Sequence, residues 1–366
     1  MTADNLKNYD NLSMDKLRNS IDEIDDSILD LINQRLKLAK QIGLIKKQNL
    51  EQVMDNLRER QIMKRLIKNN QGPLDNKVLA HIFTDIIAVA RNIQNPLQVT
   101  YLGPEATFTH LAALSHFGDF TTLSPQTSIR DVFIEVEKGN YQYGVVPVEN
   151  SIEGSVNHTL DLFFESRLKI CAEKYQTIHH DLLSKDGLSE NIKIIYSHPQ
   201  ALAQCRRWLR RHLPQAELKE CQSTAQAAQK ASLEQGGAAI AGSEAARIYN
   251  LKVVSAKIED FAHNVTRFLI IGKDTVHQSG QDKTSVMFVT PHAPGALSKL
   301  LEPLAKSSIN MVKLESRPTK YENWSYIFFV DLEGHVEDPK VQVTMEEMKK
   351  LSLYLKWIGS YPKEEK

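Results

Sequence analysis

The chain has 366 residues, enough for two or three domains of roughly 100–200 residues each. Its 45 lysines and arginines equal its 45 aspartates and glutamates, which excludes the basic excess of a nucleic-acid binder. Three cysteines, Cys171, Cys205 and Cys221, exclude a disulfide framework, and their spacing matches no CxxC pattern. The N-terminus lacks the apolar core of a secretory leader, and no apolar run reaches the ~18 residues of a membrane span. The expectation is a cytoplasmic enzyme or sensor with no nucleic-acid and no membrane partner.

Among glycine, proline and aromatic residues, residues 1–95 contain only Gly43, Gly72, Pro73, Tyr9 and Phe83, a texture that predicts helices. The first helix is expected to begin near Ser13, an N-cap, with Asp15 in its first turn. Leu17, Ile24, Leu31, Leu38 and Ile45 recur at heptad spacing, as do Ile21, Ile28 and Ile42. Arg35 interrupts the second series, and a cation on an apolar seam loses several kcal/mol of solvation unless it is paired. Lys46 adds a second cation three turns along nearly the same stripe. Asp55, Arg58, Glu59 and Ile62 share a face of the next helix. After the Gly72-Pro73 break, Asp75 or Asn76 can cap a third helix, which brings Phe83, Ile87, Ala90 and Gln94 to one side. Cations, a carboxylate and an amide converging inside a helical bundle make a pocket for a small dianion.

These residues resemble the all-helical chorismate mutase family, from LRNSIDEIDDSILDLINQRLKLAKQIGLIKK through Asp55-Asn56-Leu57-Arg58-Glu59. The resemblance implies rearrangement of chorismate to prephenate, without nucleophile, cofactor or metal. It implies that Arg18 and Arg35 hold the substrate carboxylates, and that Lys46 and Gln94 donate to the ether oxygen. Glu59 and Asp55 would meet the ring hydroxyl or orient Lys46 and Arg58. Arg18 falls on a different flank of the helix from Arg35, and in the family it enters from a second subunit. Ala90 stands where other members carry serine, which implies weaker substrate binding.

After Pro96 the texture changes to short β-branched runs alternating with alanine-rich segments: VTYLG, YGVVPVEN, IKIIYS, AAIAGS and TRFLIIG. This predicts α/β lobes. Polar clusters end the predicted strands, where open sheets place ligands: Glu149-Asn150-Ser151, Ser197-His198-Pro199-Gln200 and Ser223-Thr224. Asn264-Val265-Thr266-Arg267-Phe268 opens the last strand. Neither GxGxxG nor GxxxxGK[ST] occurs, so nothing points to dinucleotides or nucleoside triphosphates. With Leu102-Gly103-Pro104 and Phe108-Thr109-His110, the motifs PVENS, YSHPQ and NVTRF resemble the prephenate dehydratase family from about residue 99 to 272. The resemblance implies a bilobal fold like that of periplasmic binding proteins and conversion of prephenate to phenylpyruvate. Thr266 would be the acid at the departing hydroxyl, and Arg267 the nearest fixed cation, toward substrate or fold. Asn150, Ser151, Ser197 and Gln200 would donate to carboxylates or the keto group, and Glu149 would orient Thr266 or a water. His198 is either catalytic or structural.

A polar stretch, residues 273–283, precedes a final segment that reads strand 284–290, helix 294–307, strands 310–317 and 324–332, helix 338–353 and strand 354–359. This βαββαβ order is ferredoxin-like. The segment resembles the ACT regulatory domain, with Gly295, Ala296 and Leu297 and then Glu315, Ser316, Arg317 and Pro318 implied to form an L-phenylalanine site between paired subunits. Three domains are expected: helical over residues 1–95, bilobal α/β over 97–273 and ferredoxin-like over 283–362. Together the resemblances imply a bifunctional enzyme of phenylalanine biosynthesis, feedback-inhibited by L-phenylalanine and homodimeric or larger. A non-catalytic sensor with the same lobes would leave the charges at Arg35, Lys46 and Glu59 without a purpose.

Overall fold

The computed structural model describes residues 14–49, 56–94, 96–118, 120–318 and 326–364. The chain forms two compact units, Met1–Pro96 and Leu97–Lys366. No helix among the described residues is long and apolar enough to cross a membrane.

In the first unit α1 (Met14–Gln48) runs unbroken, being rich in strong helix formers and free of proline. The expected N-cap Ser13 lies outside the described residues. Helices α2 (Asn56–Asn69) and α3 (Asn76–Gln94) follow, separated at Gly72-Pro73. Of the two possible caps, Asp75 caps α3, its Oδ1 accepting from the Lys77 N–H at 2.8 Å. Gly43 lets α1 and α3 touch, because a Cβ there would lie 2.8 Å from Cβ and 3.0 Å from Cα of Gln94. The heptad seam is only partly covered within one chain. Ile21, Ile24, Ile28 and Leu31 stay between 49% and 64% exposed.

In the second unit β1 (Gln98–Leu102), α4 (Phe108–Phe117), β2 (Thr122–Gln126), α5 (Ile129–Lys138), β3 (Tyr143–Asn150), β4 (Gly154–Ser155), α6 (Asn157–Glu165) and β5 (Lys169–Thr177) build a first lobe. The second lobe comprises β6 (Asp181–Ser184), β7 (Ile194–Ser197), α7 (Pro199–Gln204), α8 (Arg206–His212), β8 (Glu217–Glu220), α9 (Thr224–Leu233), β9 (Gly237–Ala241), α10 (Ser243–Ile248) and β10 (Lys252–Ser255). The chain then returns as β11 (Val265–Gly272), inserted between β3 and β5, to give the order β2-β1-β3-β11-β5. The second sheet runs β10-β6-β9-β7-β8. The chain thus crosses twice between lobes, before β6 and before β11, as the bilobal expectation requires.

The last segment folds as β12 (Asp282–Val289), α11 (Ala296–Lys306), β13 (Met311–Pro318), β14 (Tyr326–Glu333), α12 (Pro339–Leu351) and β15 (Tyr354–Pro362). Its antiparallel order β13-β14-β12-β15 is that of a ferredoxin-like sheet. This sheet does not stand apart from the lobes. Phe163, Leu168 and Leu269 share one apolar core with Met287, Phe329 and Tyr361.

Candidate active sites

The three helices of the first unit enclose a pocket of about 460 Å³. Arg35 and Lys46 enter it from α1, Arg58, Glu59 and Arg65 from α2, and Phe83, Ile87, Ala90, Arg91 and Gln94 from α3. Five cationic side chains against one carboxylate suit a dianion. Burial pushes the Arg35 pKa down while the Glu59 charge opposes the shift, so the guanidinium stays cationic at neutral pH. Arg35 Nη1 also donates to the Ile86 carbonyl at 3.5 Å. Arg91 is buried with its Nε 3.4 Å from Glu59 Oε1. The buried amide oxygen of Gln94 has no hydrogen-bond partner among the described residues. Asp55 lies outside the described residues. Arg18 does not line its own chain's pocket; it is exposed, 3.8 Å from Asp15.

Between the lobes lies a cleft of about 630 Å³. Its polar wall is oriented from one end. Asn150 Oδ1 accepts from the backbone N–H groups of Ile152 at 3.0 Å and Glu153 at 3.1 Å, so Nδ2 must face the other way. It donates to Thr266 Oγ1 at 2.9 Å and to Asn264 Oδ1 at 2.6 Å. Asn264 Nδ2 in turn donates to Gln204 Oε1 at 2.9 Å. His180 Nε2 meets that same oxygen at 2.9 Å; the oxygen only accepts, so Nε2 carries the proton. Burial lowers the His180 pKa, against Gln204, Glu259 and Asp181, which favour its charged form. Because Thr266 accepts from Asn150, its own proton is left for the cleft. Gln200 and Gln204, on the second lobe, donate to Glu153 of the first at 2.5 Å and 3.5 Å.

Four expected site residues do not line this cleft. Successive residues on a strand face opposite sides, and Thr266 pairs with Asn150 while Arg267 pairs with Glu149. Arg267 therefore points to the back of the sheet. It donates through Nε to Glu173 at 2.9 Å, through Nη1 to Asp331 at 2.6 Å and through Nη2 to Tyr361 at 2.8 Å. Glu149 does not reach Thr266 either; it pairs with Lys313 at 2.8 Å. The Ser197 hydroxyl is fully buried and donates to the Ile240 carbonyl at 2.6 Å. Ser151 Oγ joins backbone segments, donating to His263 O and accepting from Val265 N, each at 3.0 Å. His198 lines the cleft and also caps α7, its ring accepting from the Gln200 N–H at 3.4 Å.

In the C-terminal sheet, Gly295, Ala296 and Leu297 line a cavity of about 210 Å³ with His292, Tyr326 and Phe328. Gly295 caps α11 at a φ of 76°, a conformation glycine adopts without strain. Glu315, Ser316, Arg317 and Pro318 do not line it. They alternate along β13, and Arg317 reaches Asp161 of α6 at 3.5 Å.

Three family models match in the same order as these sites: chorismate mutase type II over residues 17–95, prephenate dehydratase over 99–276 and the ACT domain over 284–346. A bifunctional chorismate mutase/prephenate dehydratase of Aquifex aeolicus is 45% identical over 352 residues, 95% of this chain and 97% of that protein. The chain belongs to the bifunctional chorismate mutase/prephenate dehydratase family. One of Pseudomonas aeruginosa is 43% identical, again over 95% of this chain and 97% of the relative. A prephenate dehydratase of Arthrobacter aurescens, solved in complex with L-Phe, is 33% identical at a TM-score of 0.68, covering 73% of this chain and 90% of that one.

Several residues that line these two pockets were not picked out from the sequence. Arg91 lies one turn beyond Ile87 on α3, and Gln204 one turn beyond Gln200 on α7, so helical spacing could have found both. Glu153 lies within the turn that Asn150 nucleates. His180 gave no comparable signal, because the lobes' crossing places it.

Proposed function

We propose that the helical unit converts chorismate to prephenate, that the cleft converts prephenate to phenylpyruvate, and that L-phenylalanine restrains the second step through the C-terminal sheet. The observation that supports this best is the contrast between the two sites. One is lined by five cations on three helices; the other presents a threonine hydroxyl whose oxygen is held by a fixed amide.

The first reaction is a rearrangement within one molecule, so the pocket acts by holding a compact conformer and by opposing charge that develops on the ether oxygen. Arg35 holds a carboxylate, Lys46 and Gln94 face the ether oxygen, and Glu59 meets the ring hydroxyl, with Arg58 and Arg91 beside it. Arg18 completes the site from a second copy of the chain. The exposed seam of Ile21, Ile24, Ile28 and Leu31 supports this, since a large apolar stripe marks an interaction surface.

In the second reaction Thr266 gives its proton to the ring hydroxyl, which leaves as water. The electrons of the C–CO₂ bond complete the aromatic ring, CO₂ departs, and solvent returns a proton to Thr266. Asn150 keeps the hydroxyl aimed and disperses the charge left on its oxygen. Gly295, Ala296 and Leu297 offer one wall of the L-phenylalanine site, and β13 of a paired subunit is suited to supply the other.

Supplying chorismate to the purified protein tests the reading: prephenate and then phenylpyruvate are expected. Arg35→Ala should abolish the first step and spare the second, and Thr266→Ala should do the reverse. Loss of both activities from either substitution, with the fold intact, would remove the two-site assignment.

A further inference from the structure

Prephenate carries two carboxylates, yet among the described residues no lysine or arginine lines the cleft. The charged lining side chain is Glu153, itself a carboxylate. Something other than an ion pair has to hold the substrate.

Among the helices that begin at the cleft are two of ten residues on opposite lobes: α4 behind its N-cap Thr107, and α9 behind its N-cap Ser223. Helix N-termini present N–H groups with partial positive charge. Each cap already accepts one, Thr107 from His110 at 3.3 Å and Ser223 from Gln226 at 3.0 Å. The N–H groups of Phe108 and Thr109, and of Thr224 and Ala225, have no partner among the described residues.

A second observation singles out the same two places. Thr109 and Thr224 are only 5% and 8% exposed, both line the cleft, and neither hydroxyl has a partner among the described residues. Other buried hydroxyls of these lobes are satisfied. Thr100 donates to Ser124 O at 2.9 Å, Thr159 to Pro147 O at 2.6 Å and Ser197 to Ile240 O at 2.6 Å. The two residues are more than nine-tenths buried, and their unpaired hydroxyls open onto the cleft, where a ligand can take them up.

We propose that these are the two carboxylate subsites of the dehydratase: α4 with Thr109 on one lobe, and α9 with Thr224 on the other. The substrate dianion then bridges the lobes. The choice of neutral donors has a chemical reason. One carboxylate must surrender its charge to the ring as CO₂ leaves, and a guanidinium fixed on it would stabilise the ground state more than the transition state. Amide dipoles and hydroxyls orient it with a weaker hold on that charge.

The inference rests on the dehydratase reading, and full-length Thr109→Val and Thr224→Val proteins test it separately. Each should raise the KM for prephenate about tenfold or more, the loss of one hydrogen bond to a charged group, with a smaller change in kcat. Phenylpyruvate retains one of the two carboxylates, so its product inhibition should weaken in one variant and persist in the other. Mutase turnover of chorismate reports an intact chain. Thr109→Ser and Thr224→Ser, which keep the hydroxyl, should restore KM even where valine disturbs folding. An unchanged KM in either valine variant removes that subsite, and equal loss of product inhibition in both removes the division between lobes. A wild-type protein that forms no phenylpyruvate would instead overturn the dehydratase reading.

Discussion

At the scale of single residues, Thr266 and Arg267 are chain neighbours with opposite surroundings. Thr266→Val removes the proposed proton donor and should lower dehydratase kcat by about 10²–10⁴, with an unchanged melting temperature. Arg267→Met leaves Glu173 and Asp331 buried without their guanidinium. It should destabilise the fold by about 3–5 kcal/mol, read as a lower urea midpoint. Burial at Asp331 favours the neutral acid, but the Arg267 charge and the Ser285 hydrogen bond outweigh it, and its pKa falls below the ordinary carboxylate value. The folded state then binds this proton less tightly than the unfolded chain. The stabilisation is present above about pH 4 and is lost as pH falls through the depressed value. Acid unfolding followed by circular dichroism should accordingly be less steep in Asp331→Asn. The alternation that separates Thr266 from Arg267 was legible in the sequence; which face looks into the cleft was not, because the returning strand β11 decides it. Ser197 illustrates the same limit. Its position after a strand was legible, but not the carbonyl of Ile240 waiting behind it.

At the scale of elements, the mutase pocket depends on how closely α1 and α3 approach. Gly43→Ala would set a methyl group 3.0 Å from the Gln94 Cα, a contact that only a shift of the helices relieves. A displacement near 1 Å in such a site lowers rates about 10²-fold. Mutase activity should fall on that scale while prephenate turnover is unchanged, measured on the same preparation. The helices were legible because their apolar residues recur at the helical period, and Arg35 and Lys46 were legible as exceptions to it. The strands were legible from β-branched runs; VTRFLIIG is strand β11 from end to end. Arg91 was legible by the same spacing, one turn beyond Ile87, but it was not counted with Phe83, Ile87, Ala90 and Gln94. Glu315 to Pro318 were placed by likeness, and the alternation of β13 sends Arg317 to Asp161 rather than into the cavity beside Gly295.

At the scale of the whole molecule, the proposed sharing of the mutase site between two chains makes a sharp prediction. Arg18→Ala and Arg35→Ala proteins should each be inactive as mutases. After mixing under conditions that exchange subunits, activity should return, because a mixed dimer contains one site with both arginines intact. No recovery, despite exchange shown by sedimentation of differently tagged chains, would mean that Arg18 serves its own chain. The same scale gives meaning to the back of the dehydratase sheet. Thr266 and Asn150 are the proposed proton-donating pair, and the residue beside each is gripped by the C-terminal sheet: Arg267 by Asp331 and Tyr361, Glu149 by Lys313. A peptide unit is rigid and planar, so each grip ends one stiff link from the chemistry. The strand pair β3 and β11 is in effect a crossbar with the reaction on one side and a handle on the other. A small tilt of the C-terminal sheet would therefore reach the hydroxyl sideways, through the thickness of one sheet, without travelling through the cleft.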